Sequence, residues 1–205
     1  MVLVSAALFI VAVPFARVSL PQFWAIIPVN QSALAINDLI TAALLFTQFS
    51  ILRTRALRIL AGGSLFTAGM VVVHGLTFPG LFRPTGLLSA GPPTTAWLYL
   101  FWHGGFPIAV IAYARMKDEK TDGAAQPSVG LSILCGIGAV CAAIVGLALL
   151  ATAGHALLPA MMRENGYAPA LTVVVPAVCL LTAGAPYEVW RKARYRTRRA
   201  RQFGA

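Results

Sequence analysis

Residues 129–152, VGLSILCGIGAVCAAIVGLALLAT, form a continuous apolar run without a charged side chain. A helix rises about 1.5 Å per residue, so a run of this length spans the roughly 30 Å hydrocarbon core of a bilayer. In lipid, backbone hydrogen bonds must be made within the protein, which only helices and closed barrels achieve. The run lacks the alternating pattern of a barrel strand. It therefore predicts a transmembrane helix.

The rest of the chain shows the same character. Further apolar runs occupy residues 2–20, 33–52, 58–79, 96–114 and 170–190. Only 11% of the residues are charged, whereas soluble domains carry about a quarter. The first run lacks the basic start and the cleavage site of a signal peptide, so we interpret it as a helix. The sequence predicts an all-α, polytopic membrane helical bundle of about six transmembrane helices over residues 1–190, followed by a basic cytoplasmic tail over residues 191–205.

Basic residues are distributed unevenly between the two sides of this bundle. With the amino end in the cytoplasm, the inner connections and the tail carry thirteen basic residues. The outer connections carry three: Arg17, Arg83 and Arg163. Lys and Arg are enriched in cytoplasmic connections, so the bias predicts that both termini are cytoplasmic. The same distribution accounts for the net charge of +10, so we expect no nucleic acid as a partner.

Three ionisable side chains lie inside the predicted helices: Asp38, His74 and His103. Such groups are costly in lipid and often mark functional sites. Counted from the inner arginines of their own helices, they lie about 22, 24 and 18 Å toward the outer face. Helices joined by short connections are usually neighbours. The second, third and fourth helices are therefore predicted to build one polar site in the outer half of the membrane.

Helical spacing adds two residues to this site. Thr67 precedes His74 by seven residues and Tyr99 precedes His103 by four, so each lies on the face of its histidine. A hydrogen bond between His and Asp that only fixes helix packing is an equally good interpretation. The functional interpretations are a ligand or ion pocket and a proton-responsive pair, because His titrates near neutrality. A small transporter or proton-coupled carrier could use Asp38, His74 and His103 as a relay.

The sequence offers no sign of catalysis. It contains no phosphate-binding glycine loop, nucleophile elbow or zinc-protease helix, and no spacing typical of zinc or haem ligands. Cys135, Cys141 and Cys179 lie inside apolar runs, which favours a role in packing. We expect no enzymatic activity, no metal and no cofactor.

Four motifs carry a resemblance to a known family: NDLITA, HGLTFPGLF, TGLLSAGPPTTAWLY and FWHGGFP. With them, about residues 14 to 190 resemble the type-four membrane-associated sensor domain (MASE family) of bacterial signalling proteins. Asp38, His74 and His103 lie inside these motifs, as do Asn37 and Trp102, which we include in the predicted site.

The resemblance implies a membrane-embedded sensory input module. Members of the family detect a stimulus and relay it to a cytoplasmic output such as a diguanylate cyclase or histidine kinase domain. It also implies a multi-pass protein of the bacterial inner (plasma) membrane, a homodimer, and an output domain or partner protein in trans. After Thr182 the chain departs from the family's pattern and no output domain follows, which we interpret as a shortened or frameshifted product.

Overall fold

The computed structural model describes residues 2–15, 18, 25–84, 86–87, 92–117, 128–163 and 166–203. Within them the chain forms six α-helices, namely α1 (Val2–Ala12), α2 (Ile26–Leu52), α3 (Arg55–Thr77), α4 (Pro92–Met116), α5 (Val129–Thr152) and α6 (Pro169–Phe203). Short 3-10 helices cover Val13–Phe15 and His155–Leu157. Two antiparallel strands, β1 (Met162–Arg163) and β2 (Gly166–Tyr167), form a small hairpin before α6.

Five of these helices, α2 to α6, are long and apolar enough to cross a membrane. The all-helical, polytopic bundle is thus confirmed. The first helix differs from the prediction of a sixth crossing: α1 has 11 residues. A helix of that length spans about 17 Å, roughly half of the hydrocarbon core. Pro14 lies in the 3-10 helix that follows, and its ring nitrogen has no hydrogen to donate to a longer α-helix.

Helix α3 is the central element of the bundle, because it packs against α2, α4 and α5. Two glycines bring it against α4. A Cβ at Gly63 would lie 2.5 Å from the Cβ of Ala109, and a Cβ at Gly105 would overlap the ring of Phe66. Small residues of this kind let membrane helices approach closely. Both glycines therefore have a packing role.

The best-packed part of the bundle lies where α3, α4 and α5 meet. Met70, Leu98 and Ala151 are fully buried there, and the half-buried rings of Phe66 and Trp97 pack around them. Most other large apolar side chains are exposed, as expected of a surface that contacts lipid. Cys135, Cys141 and Cys179 are also exposed, so the prediction that they pack in the interior is wrong.

The connections determine which helix ends come together. Arg53 and Thr54 alone join α2 to α3, with Arg53 in the left-handed conformation (φ 54°) and its amide bonded to the carbonyl of Phe49. The two helices are therefore antiparallel, and α4 reverses the direction again. The amino end of α2, the carboxyl end of α3 and the amino end of α4 consequently lie at one end of the bundle.

Helix α6 continues without a break across residue 190, where the sequence predicted that the membrane domain ends and the tail begins. Near residue 190, Glu188 forms an ion pair of 2.8 Å with Arg191. Lys192 Nζ donates to the backbone carbonyl of Arg115 at 3.0 Å, which connects α6 to the carboxyl end of α4.

Candidate ligand-binding site

A cavity of about 530 Å³ lies at the end of the bundle where α2, α3 and α4 meet. Its volume falls in the usual range of small-molecule sites, roughly 300 to 1,000 Å³. Its polar and aromatic walls come from all three helices and from the residue after α3: Asn30, Gln31, His74, Phe78, Tyr99 and Trp102. The predicted meeting of the second, third and fourth helices is therefore observed.

A hydrogen bond between helices forms the polar centre of this cavity. Gln31 Nε2 on α2 lies 2.6 Å from His74 Nδ1 on α3. Both side chains are buried, with 9% of Gln31 and 6% of His74 exposed. Gly75 provides the room, because a Cβ at this position would overlap Gln31 Oε1. Because Gly75 directly follows His74 on α3 and has no side chain, the carboxamide of Gln31 from α2 can lie against both residues.

The position of the proton on the imidazole of His74 is linked to the orientation of the Gln31 amide. With the amide oriented so that its nitrogen faces the ring, Nδ1 of the neutral ring accepts and the hydrogen is on Nε2. One acceptor of this pair is not satisfied: Gln31 Oε1 is buried without a hydrogen-bond partner among the described residues. An orphaned buried acceptor is costly, at about 1 to 3 kcal/mol.

Aromatic rings surround His74. The ring centroids of Phe78, Tyr99 and Trp102 lie 5.8, 6.1 and 6.0 Å from that of His74. Tyr99 and Trp102 contact each other edge to face at 5.8 Å. Aromatic rings at these distances and tilts attract one another. They give the cavity flat aromatic walls beside the pair of Gln31 and His74.

His103 lies behind this wall and is not among the residues that line the cavity. Its ring packs against Tyr99 at 3.8 Å and against Trp102 at 4.2 Å. Its Nδ1 lies 2.9 Å from the carbonyl of Tyr99, which can only accept, so Nδ1 carries the proton. His103 therefore holds two wall residues in place. The structure brings His74 and His103 into one aromatic cluster with Tyr99 and Trp102, whereas the sequence predicted a polar site that the two histidines share with Asp38.

Asp38 is placed differently from the two histidines. It follows Gln31 by seven residues on the face of α2 that contains buried Ala35 and Ala42, and it is half-buried. Within the described residues, no hydrogen bond or ion pair joins Asp38 to either histidine. No group of three His, Cys, Asp or Glu side chains that could hold a metal is found in the described part of the chain.

Two further predicted residues do not line the cavity. Thr67 is buried on α3, but its hydroxyl donates to the carbonyl of Gly63 in its own helix at 3.0 Å. Asn37 is exposed on α2. The cavity thus contains three of the predicted residues, His74, Tyr99 and Trp102, while His103 supports two of them from behind.

Sequence reasoning missed Gln31, the residue that bonds His74. The prediction began the second helix at residue 33, so Gln31 was assigned to a connection, whereas α2 begins at Ile26. A signal was available. Gln31, Ala35, Asp38 and Ala42 recur at helical spacing, so the polar stripe extends one turn beyond the predicted start of the helix.

Comparison with known protein families finds a match over most of the chain. The family described as membrane-associated sensor, integral membrane domain (MASE4), matches residues 20–198. No curated protein and no solved structure matches the chain.

Proposed function

The chain belongs to the family of membrane-associated sensor, integral membrane domains, and on this premise we propose that it is a sensory input module of the bacterial inner membrane. Its stimulus acts at the outer half of the bilayer. The change is relayed to a cytoplasmic output, such as a diguanylate cyclase or histidine kinase domain. The module itself makes no chemical bond.

The cavity between α2, α3 and α4 is the observation that carries this proposal. It is the size of a ligand site, and it lies at the end of the bundle opposite Arg53 and Arg115. Arginines at helix ends favour the cytoplasmic side, so the cavity is assigned to the outer half of the membrane. Residues of three helices line the cavity, so a bound ligand contacts all three helices and affects how they pack against one another.

The route to the cytoplasm follows α4 and α6. Helix α4 contributes Tyr99 and Trp102 to the cavity and ends near Arg115, whose carbonyl accepts a hydrogen bond from Lys192 of α6. Helices α4 and α6 also pack against each other. Pro107 lies within α4 between these two regions, where it removes one helical hydrogen bond and permits a bend. A shift of α4 is thereby passed to α6.

An occupant can drive this shift only if it binds two arrangements of the helices unequally. Filling the cavity with a side chain imitates such an occupant. Ala96 on α4 lines the cavity, and Ile108 on the same helix is exposed to lipid. The two residues therefore give a test variant and a matched control.

We propose to fuse a diguanylate cyclase domain after the carboxyl end and to measure the cyclic dinucleotide that it makes in cells. Ala96→Phe is expected to change the output several-fold, because the added ring occupies the cavity. Ile108→Phe is expected to leave it within the scatter of the unmodified fusion. If both variants have the same output as the unmodified fusion at equal abundance, the sensory role is refuted.

The carrier alternative is not favoured. A proton relay requires Asp38, His74 and His103 to be connected, and the described residues show no hydrogen bond from Asp38 to either histidine. The family match also favours a sensor. A proton flux in liposomes that is lost in His74→Ala would reverse this preference.

A further inference from the structure

We infer that the cavity binds the head of a neutral, planar, lipid-soluble molecule whose polar groups are carbonyl oxygens, a quinone in chemical class. The inference names the stimulus class of the sensory role proposed above and rests on it. Four properties of the cavity lead to this ligand: its charge, the shape of its walls, the hydrogen-bond donors in those walls and the side on which it opens.

The charge of the walls excludes ions as ligands. The cavity has eleven lining residues in the described chain, and none of them is Asp, Glu, Lys or Arg. Burying an ion without a partner of opposite charge costs several kcal/mol or more. The part of a ligand that enters this cavity is therefore uncharged.

The shape of the walls favours a flat molecule. Phe78, Tyr99 and Trp102 present their rings around His74 at centroid distances of 5.8 to 6.1 Å. His103 packs against Tyr99 and Trp102 from behind, so these two rings are held in place. Flat rings contact one another most favourably as offset stacks or edge-to-face pairs. A planar head group fits such walls better than a branched aliphatic one.

Two donors in the walls lack a partner in the described part of the chain. Gln31 Oε1 is the one buried side-chain polar atom there without a hydrogen bond, and it lies against Gly75, outside this cavity. Nε2 of His74 and Nε1 of Trp102 form no hydrogen bond either, so both nitrogens keep accessible surface. Both carry a hydrogen when Nδ1 of His74 accepts from Gln31. The cavity thus presents two donors to an occupant.

A carbonyl oxygen matches these two donors. It has two lone pairs and no hydrogen, so it can accept from both and brings no donor of its own. The ring centroids of His74 and Trp102 lie 6.0 Å apart, so both donors can serve the same end of a planar molecule. Donors that would otherwise stay unpaired in the cavity therefore select a ligand with acceptors.

The remaining polar side chains of the cavity adapt to such a ligand. Asn30 and Tyr99 line the cavity and are exposed. The carboxamide and the phenol hydroxyl both donate as well as accept, so they can donate to a second carbonyl while their oxygens stay accessible to water. Thr95 also lines the cavity and already has an interaction partner in the chain. None of these three groups requires the ligand to donate.

The cavity opens between α2 and α4. Both helices pack against α3, whereas in the described residues they make little contact with each other. Ile26 on α2 and Tyr99 on α4 line the cavity and are 61% and 47% exposed. Sites of this kind between the helices of a bundle are common for small ligands. In a bundle that spans a membrane, the gap admits a molecule from the bilayer, whose apolar tail can remain in lipid.

The experiment compares probes that differ in their oxygen atoms. The full chain is placed in nanodiscs of phosphatidylethanolamine and phosphatidylglycerol, and binding of 2,3-dimethyl-1,4-naphthoquinone and of 2,3-dimethylnaphthalene is measured by equilibrium dialysis. Both alkene carbons of this quinone are methylated, so the exposed cysteines do not add to it. Empty nanodiscs give the partition of each probe into lipid.

Saturable binding of the quinone is expected, with the hydrocarbon bound about tenfold more weakly, because the donors in the walls lose their acceptors. A third probe, 2,3-dimethyl-1-naphthol, should bind at least threefold more weakly than the quinone. It offers fewer acceptors, and it brings a hydrogen that no group in the cavity requires.

Variants test whether the preference comes from the proposed donors. Trp102→Phe keeps an aromatic ring and removes the Nε1 donor, so the preference for the quinone over the hydrocarbon should fall at least threefold. Trp97→Phe is the matched control on the same helix. Trp97 does not line the cavity, and its Nε1 donates to the carbonyl of Pro159 at 3.1 Å. This control should keep the tenfold preference.

Four results would overturn the inference: absence of saturable quinone binding, equal binding of the quinone and the hydrocarbon, binding of the naphthol as tight as that of the quinone, or an unchanged preference in Trp102→Phe. The cyclase fusion separates this failure from a failure of the sensory role. If the quinone does not bind but Ala96→Phe still changes the output, the ligand class is wrong and the sensory role stands. If the quinone binds as expected but Ala96→Phe has no effect, the ligand class stands and the sensory role is wrong.

Discussion

Gly75 controls whether Gln31 can reach His74. In Gly75→Ala the new methyl group would occupy the position of Gln31 Oε1, so the amide would have to leave the imidazole. Two buried polar groups would then lack partners, and we expect the free energy of unfolding to fall by about 1 to 3 kcal/mol. Unfolding of the purified protein in mixed detergent micelles measures this change.

The control for this prediction is Gly146→Ala on α5, where an added Cβ meets nothing within 4 Å. It should be neutral or stabilise the protein by up to about 1 kcal/mol, because Ala is the better helix former. Equal destabilisation by both substitutions would mean that the position of Gly75 beside Gln31 has no special importance.

A second prediction concerns the strength of the bond between Gln31 and His74. A double-mutant cycle of Gln31→Leu and His74→Phe should give a coupling energy of about 0.5 to 1.5 kcal/mol, the range found for hydrogen bonds between membrane helices. Pairing Gln31→Leu with His155→Phe should give no coupling, because His155 lies in the 3-10 helix after α5 and bonds the carbonyl of Thr152. A coupling of zero in the first cycle would contradict the structure.

At the residue scale, the sequence predicted part of the site. Depth counting placed His74 and His103 together because both helices are regular and joined by short connections. The same reasoning could not show that Asp38 has no hydrogen bond to them, since depth does not determine the rotation of a helix about its axis. Gln31 was missed because a helix end is set by caps and packing more than by hydrophobicity.

In the proposed relay, helices α4 and α6 connect the cavity to the end of the bundle that contains Arg115. Lys192→Met removes the hydrogen bond from Lys192 Nζ to the carbonyl of Arg115. In the cyclase fusion, we expect the response to Ala96→Phe to shrink at least twofold, because α6 follows α4 less closely.

The control on the same helix is Arg194→Met, since Arg194 lies over the ring of Trp190 in α6 itself. It removes one positive charge, as Lys192→Met does, but no contact with α4 that the structure describes. An equal loss of response in both variants would attribute the effect to charge and would contradict the proposed contact.

At the element scale, hydrophobicity predicted the five long helices well. Their interiors are apolar and unbroken, and lipid permits few alternatives to a helix. The first helix differed because its apolar run contains Pro14, and hydropathy averages do not register a missing backbone donor. Helices α3 and α4 lie in close contact at Gly63 and Gly105, where a larger side chain would not fit.

For the whole molecule, the charge distribution predicts the orientation in the membrane. In a chain without native cysteines, Arg83→Cys should react with a membrane-impermeant maleimide in intact spheroplasts. Arg55→Cys should react only after permeabilisation. Both arginines are exposed at opposite ends of α3, so access depends on the side of the membrane. The reverse pattern would place the cavity at the cytoplasmic face.

The central claim is that the state of the cavity determines the position of α6 at the cytoplasmic end. In a chain without native cysteines, spin labels at Lys117→Cys and Tyr195→Cys, both exposed positions, report the short distance between the ends of α4 and α6 by dipolar broadening of the electron paramagnetic resonance spectrum. We expect Ala96→Phe to shift the distance distribution by about 2 Å, a typical helix displacement in signalling, and Ile108→Phe to leave it unchanged. Superimposable distributions for Ala96→Phe and the parent chain would contradict the account.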